Sequence, residues 1–176
     1  MEVRMTLRIV SVLAIVATVA LLPVRAQEKD TKEVAAAIAS FKSDADVAKW
    51  FDSAYGYVVF PSITKAAVVV GGAAGNGQVF ERGAYIGDAH VSQATIGAQL
   101  GGQSFAEVIF FETKAALDRF KENKFEWSAG LSAVAAAEGK AKDAKYANGV
   151  AVFTHAKKGL MAEASVGGQK FNYKKR

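Results

Sequence analysis

Apolar and polar residues alternate with a period of two along much of the chain after residue 57. The clearest case is the segment 92–100, where Ser92, Ala94, Ile96, Ala98 and Leu100 alternate with Gln93, Thr95, Gly97 and Gln99. This alternation is typical of a β-strand with one buried face. Similar runs predict further strands at 66–75, 78–86, 105–111, 149–155, 160–166 and 170–173.

Two features refine this β pattern. Asn76-Gly77 lies between two of the predicted strands, and both residue types tolerate the positive φ of a type I′ turn, so the pair predicts a hairpin. The segment 129–137 is ambiguous, because its alanines favour a helix whereas the alternation of Leu131, Ala133 and Ala135 fits a strand.

A second period, close to 3.6 residues, predicts three helices. The first covers 32–41 with Asp30 or Thr31 as its cap, and the third covers 113–121 with Thr113 as its cap. The second begins after Ser43 as N-cap and carries an apolar stripe of Val47, Trp50, Phe51 and Ala54. Together the patterns predict an α+β fold: a curved, mostly antiparallel β-sheet or barrel-like core with short helices packed on it. The 16 glycines suit tight curvature.

The N-terminus has the three parts of a secretory signal peptide. Arg4 and Arg8 precede the apolar stretch 9–22, and Pro23 breaks that stretch shortly before the small residue Ala26. About 14 apolar residues fall short of the roughly 20 that a membrane-spanning helix needs, so we favour a cleaved signal over a retained anchor. We expect cleavage between Ala26 and Gln27, which leaves 27–176 as a single domain.

Charge and cysteine content limit the function classes. The chain has 22 Lys and Arg against 17 Asp and Glu, and loss of residues 1–26 lowers the net charge from +5 to +3, which argues against nucleic acid as a main partner. With no cysteine, the chain has neither disulfides nor the lipid-bearing cysteine of a bacterial lipoprotein. We therefore expect an exported, periplasmic or secreted protein that is not a lipoprotein.

No motif with a known catalytic mechanism stands out. The glycines of 72–77 lack the Gly-Lys-Ser/Thr ending of a phosphate loop, and Ser104 is not in a G-x-S-x-G elbow. His90 and His155 have no second ligand at metal-binding spacing. Glu107 and Glu112 fall on a predicted strand beside aromatic residues, where a solvated edge is the simplest interpretation. We expect no catalytic residue, no metal site and no cofactor.

Three sequence blocks resemble the SYLF family, whose members are lipid-binding domains found alone in bacteria and inside actin-regulating proteins in eukaryotes. The blocks are YVVFPSITKAAVVVGGAAGNG at 57–77, GAQLGGQSF at 97–105 followed by the apolar run 108–111, and KGLMAEASVGG at 158–168. The similarity spans roughly 44–173, favours a strand at 129–137, and places Lys65 in the family's P-x-x-x-K element. Because the chain carries an export signal, we do not extend actin regulation to it.

The resemblance implies a non-enzymatic module that binds anionic phospholipid or a membrane surface. If 160–166 paired with 170–173 across Gly167-Gly168, five cations would share one rim, namely Lys157, Lys158, Lys174, Lys175 and Arg176. With Lys65, these are the candidate lipid-binding residues; the alternative is a solvated charged tail. A second hypothesis is an envelope structural or stress-related protein that binds another protein through an exposed aromatic patch at 120–127.

Overall fold

The structure is a computed structural model, and it describes residues 22–67, 70–96, 103–123, 134–135, 140–158 and 168–176. Three helices are present in these ranges: α1 (Leu22–Lys42), α2 (Ala45–Ser53) and α3 (Lys114–Lys121), with a short 3-10 helix at Lys140–Asp143. The strands are β1 (Gly56–Ala67), β2 (Val70–Glu81), β3 (Ala84–Ile96), β4 (Gln103–Phe111), β5 (Val134–Ala135), β6 (Val150–Lys158) and β7 (Gln169–Lys175). Residues from Val34 to Arg176 form one compact unit.

The strands form one open sheet in the order β5-β6-β4-β1-β2-β3-β7. All neighbours are antiparallel except β5 and β6, which are parallel. The ring of Phe171 on β7 lies 5.8 Å from that of Phe60 on β1 although β2 and β3 stand between them, so the sheet is strongly curved. The predicted α+β fold is confirmed.

The barrel-like alternative is wrong. A closed barrel needs its first and last strands to be hydrogen-bonded. Within the ranges that the structure describes, no pairing joins β5 to β7, and β5 contributes only Val134 and Ala135 to the sheet. The curved sheet therefore stays open, and β7 pairs with β3 along one side.

Both faces of the sheet are buried around β4, as the alternation along that strand shows, whereas the outer face of β3 and β7 is exposed. Phe105 and Ile109 belong to one core cluster, whereas Val108 and Phe110 belong to the other. We call the face that packs against α3 the inner face. The outer face packs against α2 and the part of α1 from Val34 onward. An apolar run such as β4 is typical of a strand covered on both sides.

The third helix matches its prediction, and the second differs by one residue. Thr113 caps α3 by accepting a hydrogen bond from the Ala116 amide. In α2 the N-cap is Asp44, whose carboxylate accepts from the Asp46 amide, so the prediction of Ser43 is wrong. The Ser43 hydroxyl instead donates to the Ser40 carbonyl at the end of α1. Val47, Trp50 and Phe51 are buried as predicted.

The predicted start of the first helix is also wrong. Asp30 and Thr31 lie inside α1 and are not its N-terminal cap, because α1 already includes Leu22. The intervening residues, AQEKDTKE at 26–33, are mostly good helix formers, so the helix runs through them. Among the described residues, no helix has the length and apolar character needed to cross a bilayer.

Asn76-Gly77 is not a turn, contrary to the hairpin prediction. Both residues lie within β2, where Asn76 pairs with His90 of β3. The tight turn between β2 and β3 is Arg82-Gly83, whose φ values of 50° and 81° suit a type I′ turn. Gly77 is needed for another reason: a Cβ there would lie 2.5 Å from the Val59 carbonyl oxygen. Asn76-Gly77 is therefore a place where β2 approaches β1 closely, and the chain does not reverse direction there.

The remaining strand predictions have mixed outcomes. Strands at 105–111 and 170–173 are confirmed within β4 and β7, and the strand at 149–155 is confirmed from Val150 onward as β6. The bounds 66–75 and 78–86 are wrong, because the first covers the end of β1 and the start of β2, and the second contains the Arg82-Gly83 turn between β2 and β3. Within the predicted strand 92–100, Gln93 is buried, whereas Ser92 and Ala94 are exposed, which is the reverse of the expected apolar face. At 129–137 the described part, Val134–Ala135, is strand. The predicted strand at 160–166 lies outside the described residues.

Candidate functional site

The five cations predicted to share one rim lie at two separate places along the sheet. Lys158 pairs with Ser104 on β4, in a row of paired residues that crosses the sheet to Lys170 on β7. Lys175 lies five residues further along β7, which is about 17 Å of strand. The shared rim is wrong because β6 pairs with β4 and β7 pairs with β3, so four strands separate β6 from β7.

The strand β7 and the residue after it carry a group of exposed cations. We call Lys170, Lys174, Lys175 and Arg176 the β7 cations; Lys170 is the member that the sequence analysis missed. By strand alternation, Lys170 and Lys174 point to the outer face. The Arg176 guanidinium lies 5.5 Å from the centre of the Tyr85 ring. Among the described residues, none of the four forms an ion pair.

The cations on β1 and β6 are held by local contacts. Lys157 donates from Nζ to the Pro61 carbonyl at 2.9 Å, across the irregular middle of β1. Lys65 is half-buried, with Nζ 5.1 Å from the centre of the Phe105 ring. Burial lowers the pKa of Lys65, and the charge of Glu107 opposes that decrease. These contacts indicate that Lys65 and Lys157 stabilise the sheet.

Glu107 is fully buried in the middle of β4, so its assignment to a solvated edge is wrong. Its side chain lies on the inner face with Phe105 and Ile109, and its Oε2 accepts a hydrogen bond of 3.1 Å from Nε2 of Gln169 on β7. Burial raises the pKa of Glu107 to about 7, although the Gln169 hydrogen bond and the Lys65 charge act in the opposite direction. Glu112, by contrast, is exposed.

The surroundings of Glu107 combine apolar and neutral polar side chains. Phe60 of β1 and Thr154 of β6 stand directly opposite it in the sheet, and both are buried. Gln169, which is also buried, pairs in register with Gln93 of β3. Oε1 of Glu107 and Oε1 of Gln169 have no hydrogen-bond partner. A carboxyl group and an amide thus lie in contact inside the curved sheet, and each has one oxygen that accepts no hydrogen bond.

The sequence contains a signal that could have located this group. Residues 105–111, FAEVIFF, form a strand-length run in which Glu107 is the single charged residue. A nearly continuous apolar run indicates burial on both faces, so an acid within it is expected inside the protein. Gln169 carries no comparable local signal, because its position opposite Glu107 depends on the curvature of the whole sheet.

Comparison with known proteins agrees with the sequence motifs. Residues 92–176 match the family model described as "Ysc84: Las17-binding protein actin regulator". A similar protein is "Beta cell expansion factor A" of Aeromonas veronii, which is 34% identical over 125 residues that cover 69% of this chain. The chain spans 46% of that relative.

The chain carries a SYLF-family domain. The matched segment contains β4, α3, β6 and β7, and hence both Glu107 and the β7 cations. The sequence block at 57–77 lies before the matched segment and forms β1 and most of β2 of the same sheet. The described residues of the three motif blocks therefore belong to one compact unit.

The other candidate residues of the SYLF domain have structural contacts. His155 Nδ1 lies 3.0 Å from the Ser40 hydroxyl, and His90 Nδ1 lies 2.9 Å from Oδ1 of Asn76. The Ser104 hydroxyl bonds to that of Ser62 at 2.8 Å. In the described ranges, no group of three or more His, Cys, Asp or Glu residues could hold a metal ion.

Two further predictions concern the exposed aromatic patch and the signal-peptide cleavage position. Phe120, the first residue of the predicted exposed aromatic patch, is fully buried and packs on Phe111 and Phe171, so it is not part of an exposed surface. Residues 124–127, which include the other two aromatic residues of the patch, Phe125 and Trp127, lie outside the described residues. Ala26 and Gln27, the predicted cleavage position, both lie in α1.

Proposed function

We propose that this SYLF domain is a non-enzymatic module that binds anionic phospholipid through the β7 cations. The observation that carries the proposal is the exposure of the four β7 cations, Lys170, Lys174 and Lys175 on the strand and Arg176 directly after it, without ion pairs among the described residues. Each cation near a negatively charged membrane surface contributes about 1 kcal/mol. Four such residues contribute about 4 kcal/mol to the free energy of membrane association.

The neighbouring strand supports this assignment. His90, Ser92 and Ala94 of β3 are exposed on the outer face, beside Lys170 and Lys174. The side chains of Ser92 and Ala94 are short, so a flat layer of lipid headgroups can approach both strands. Asp88, which pairs in register with Lys174, is the acidic exception, and it accepts a hydrogen bond from the Tyr85 hydroxyl at 2.8 Å.

Vesicle co-sedimentation tests this proposal with a matched pair of variants. Lys174→Gln with Lys175→Gln removes two charges from β7, and Lys142→Gln with Lys145→Gln removes two exposed charges beside the 3-10 helix. We expect the first variant to weaken binding to anionic vesicles roughly 30-fold and the second to leave it within about threefold. Binding should also weaken as salt rises, because the contact is electrostatic.

Two results would contradict the proposal. Equal loss of binding in both double variants would mean that net charge alone drives association, and absence of binding to either neutral or anionic vesicles would remove lipid as the partner. In the second case the alternative is a protein-interaction module of the cell envelope. The matched family model supports that alternative, since its description names binding to another protein, Las17.

We also propose that the protein is exported by a cleaved signal peptide to the periplasm or the exterior. Cleavage between Ala26 and Gln27 removes no residue of the compact unit that begins at Val34. The mass of the exported protein should correspond to a chain beginning at Gln27, and Ala26→Arg should block cleavage because the peptidase needs a small residue there. Recovery of intact protein beginning at Met1 would refute cleavage.

A further inference from the structure

The hydrogen bond between Glu107 and Gln169 joins two strands that are not neighbours. Glu107 lies on β4 and Gln169 is the first residue of β7, and β1, β2 and β3 stand between these strands in the sheet. Curvature brings the two side chains together over the inner face. The bond therefore fixes the start of β7 to the opposite half of the sheet, in addition to the pairing of β7 with β3.

This contact is incomplete if Glu107 is charged. The Gln169 amide donates its N–H to Oε2, while Oε1 of Glu107 and Oε1 of Gln169 each lack a donor. Both of these atoms are oxygens that accept hydrogen bonds, and both belong to buried side chains. An unsatisfied buried acceptor costs free energy, and a buried carboxylate costs more.

A single proton satisfies both oxygens. A protonated Glu107 can donate from Oε1 to Oε1 of Gln169 while its other oxygen still accepts from Nε2 of the same amide. The two planar groups then form a cyclic pair with two parallel hydrogen bonds. The terminal torsions of Glu and Gln have broad minima, so the two groups can align without leaving their positions.

We propose that a proton held between Glu107 and Gln169 clasps the start of β7 across the inner face, and that loss of this proton as the pH rises loosens that end of the strand. The site is a proton-dependent clasp built into the fold. It is independent of the proposed lipid binding, since it concerns how β7 is held and not what β7 contacts.

The surrounding groups support a neutral Glu107. Lys65 on β1 is the charged group whose field acts on Glu107, and its ammonium lies beside the Phe105 ring. Phe60 of β1, Thr154 of β6 and Gln93 of β3 are uncharged, as are Ala116, Leu117 and Phe120, the residues that α3 buries against this face. Burial outweighs Lys65, so the pKa of Glu107 is raised to about 7.

The far end of β7 has its own attachments, which makes it an internal control. The Tyr173 amide donates to Oδ1 of Asn123 at 2.9 Å, and the Tyr173 hydroxyl donates to the Ile86 carbonyl at 2.9 Å. The Arg176 amide also donates to the Ile86 carbonyl. Ionisation of Glu107 should therefore loosen Gln169 and Lys170 and leave Tyr173 to Lys175 protected.

Amide hydrogen exchange of the exported protein tests the clasp. Protection factors, corrected for the intrinsic rate at each pH, are compared at about pH 5.5 and about pH 8.5. We expect the protection of the Lys170 amide, which points towards β3, to fall about tenfold at the higher pH, because the charged form disfavours the closed clasp. Protection of Tyr173 to Lys175 should change by less than about twofold.

Two variants identify the titrating group. Glu107→Gln keeps the shape of the neutral acid and can form the same cyclic pair with Gln169, so its β7 protection should not depend on pH. Glu112→Gln removes an exposed acid just beyond the end of the same strand and should retain the pH dependence of the unmodified protein. An equal pH dependence in Glu107→Gln and the unmodified protein would overturn the proposal.

A measurement on the unmodified protein tests the proposal even if a variant fails to fold. Carboxyl-carbon NMR titration should show one glutamate with an apparent pKa of about 7. A protein in which every glutamate titrates near the ordinary value of 4.5 would overturn the clasp regardless of the variants. Loss of vesicle binding by the β7 variants has no bearing on either result, so the two proposals can fail separately.

Discussion

Gly77 shows how one missing side chain permits the packing of two strands. A Cβ at this position would lie 2.5 Å from the Val59 carbonyl oxygen and 2.6 Å from Cδ1 of Phe60, and both neighbours are fully buried. Gly72, on the same strand, is different, since its nearest neighbour to a Cβ is the Gln93 carbonyl oxygen at 3.4 Å. The two glycines thus differ in the space around them while sharing one strand.

Gly77→Ala should therefore destabilise the protein by about 2 kcal/mol or more, because the added methyl group forces β1 and β2 apart. Gly72→Ala, the matched control, should change the free energy of unfolding by no more than about 0.5 kcal/mol. Urea unfolding at fixed pH measures both. Equal stability of the two variants would show that the close approach at Gly77 does not limit packing.

The ionisation of Glu107 should make the whole protein less stable as the pH rises. Its pKa of about 7 in the folded chain exceeds the ordinary value of 4.5 expected in the unfolded chain. The folded state then binds the proton more tightly, so stability is greatest below pH 4.5 and declines as the pH rises through 7. Between about pH 5.5 and about pH 8.5 the free energy of unfolding should fall by about 2 kcal/mol.

Glu107→Gln should abolish most of that decline, since the amide does not titrate. The measurement is the urea midpoint at several pH values, with Glu112→Gln as the control that keeps the decline. A protein whose stability rises with pH over this window would contradict the assignment, because that sign requires a group with a depressed pKa in the folded state.

At the scale of single elements, local chemistry determined what the sequence could predict. Helix α3 was predicted with its cap because Thr113 and the stripe of Ala116, Leu117 and Phe120 lie within one short segment. For α2 the sequence has two adjacent residues that can act as N-cap, Ser43 and Asp44. Which of them caps the helix depends on the hydrogen bonds at the end of α1. The Ser43 hydroxyl bonds back to the Ser40 carbonyl, which leaves Asp44 to cap α2.

Asp44→Ala should consequently cost about 1 kcal/mol of stability, since the Asp46 amide loses its acceptor. Ser43→Ala removes a hydroxyl that bonds to an exposed carbonyl at the end of α1, and it should cost less than about 0.5 kcal/mol. Thermal unfolding of the two variants decides the question. A larger loss of stability in Ser43→Ala than in Asp44→Ala would mean that Ser43 is the N-cap, as the sequence predicts.

At the scale of the whole molecule, the order of the strands decides which residues come into contact. This order cannot be predicted from short segments of a single sequence. The cations of β6 and β7 are close in sequence, yet the order of the strands separates them. Glu107 and Gln169 are 62 positions apart, yet curvature brings them into contact. The sequence predicted the fold class, the strands β4, β6 and β7 and two apolar helix stripes, whereas the contact between Glu107 and Gln169 depends on the strand order and curvature of the sheet.

Phe171 tests this curvature directly, because it connects β7 to parts of the fold that are not its neighbours in the sheet. Its buried ring lies 5.8 Å from that of Phe60 on β1 and 5.3 Å from that of Phe120 on α3. Phe171→Ala should cost about 3 kcal/mol or more through the lost contacts and the cavity. Asn172→Ala, an exposed neighbour on the same strand, should change stability by less than about 0.5 kcal/mol. If the two variants unfold at the same urea concentration, the ring does not hold β7 across the inner face, and pairing with β3 alone positions the strand.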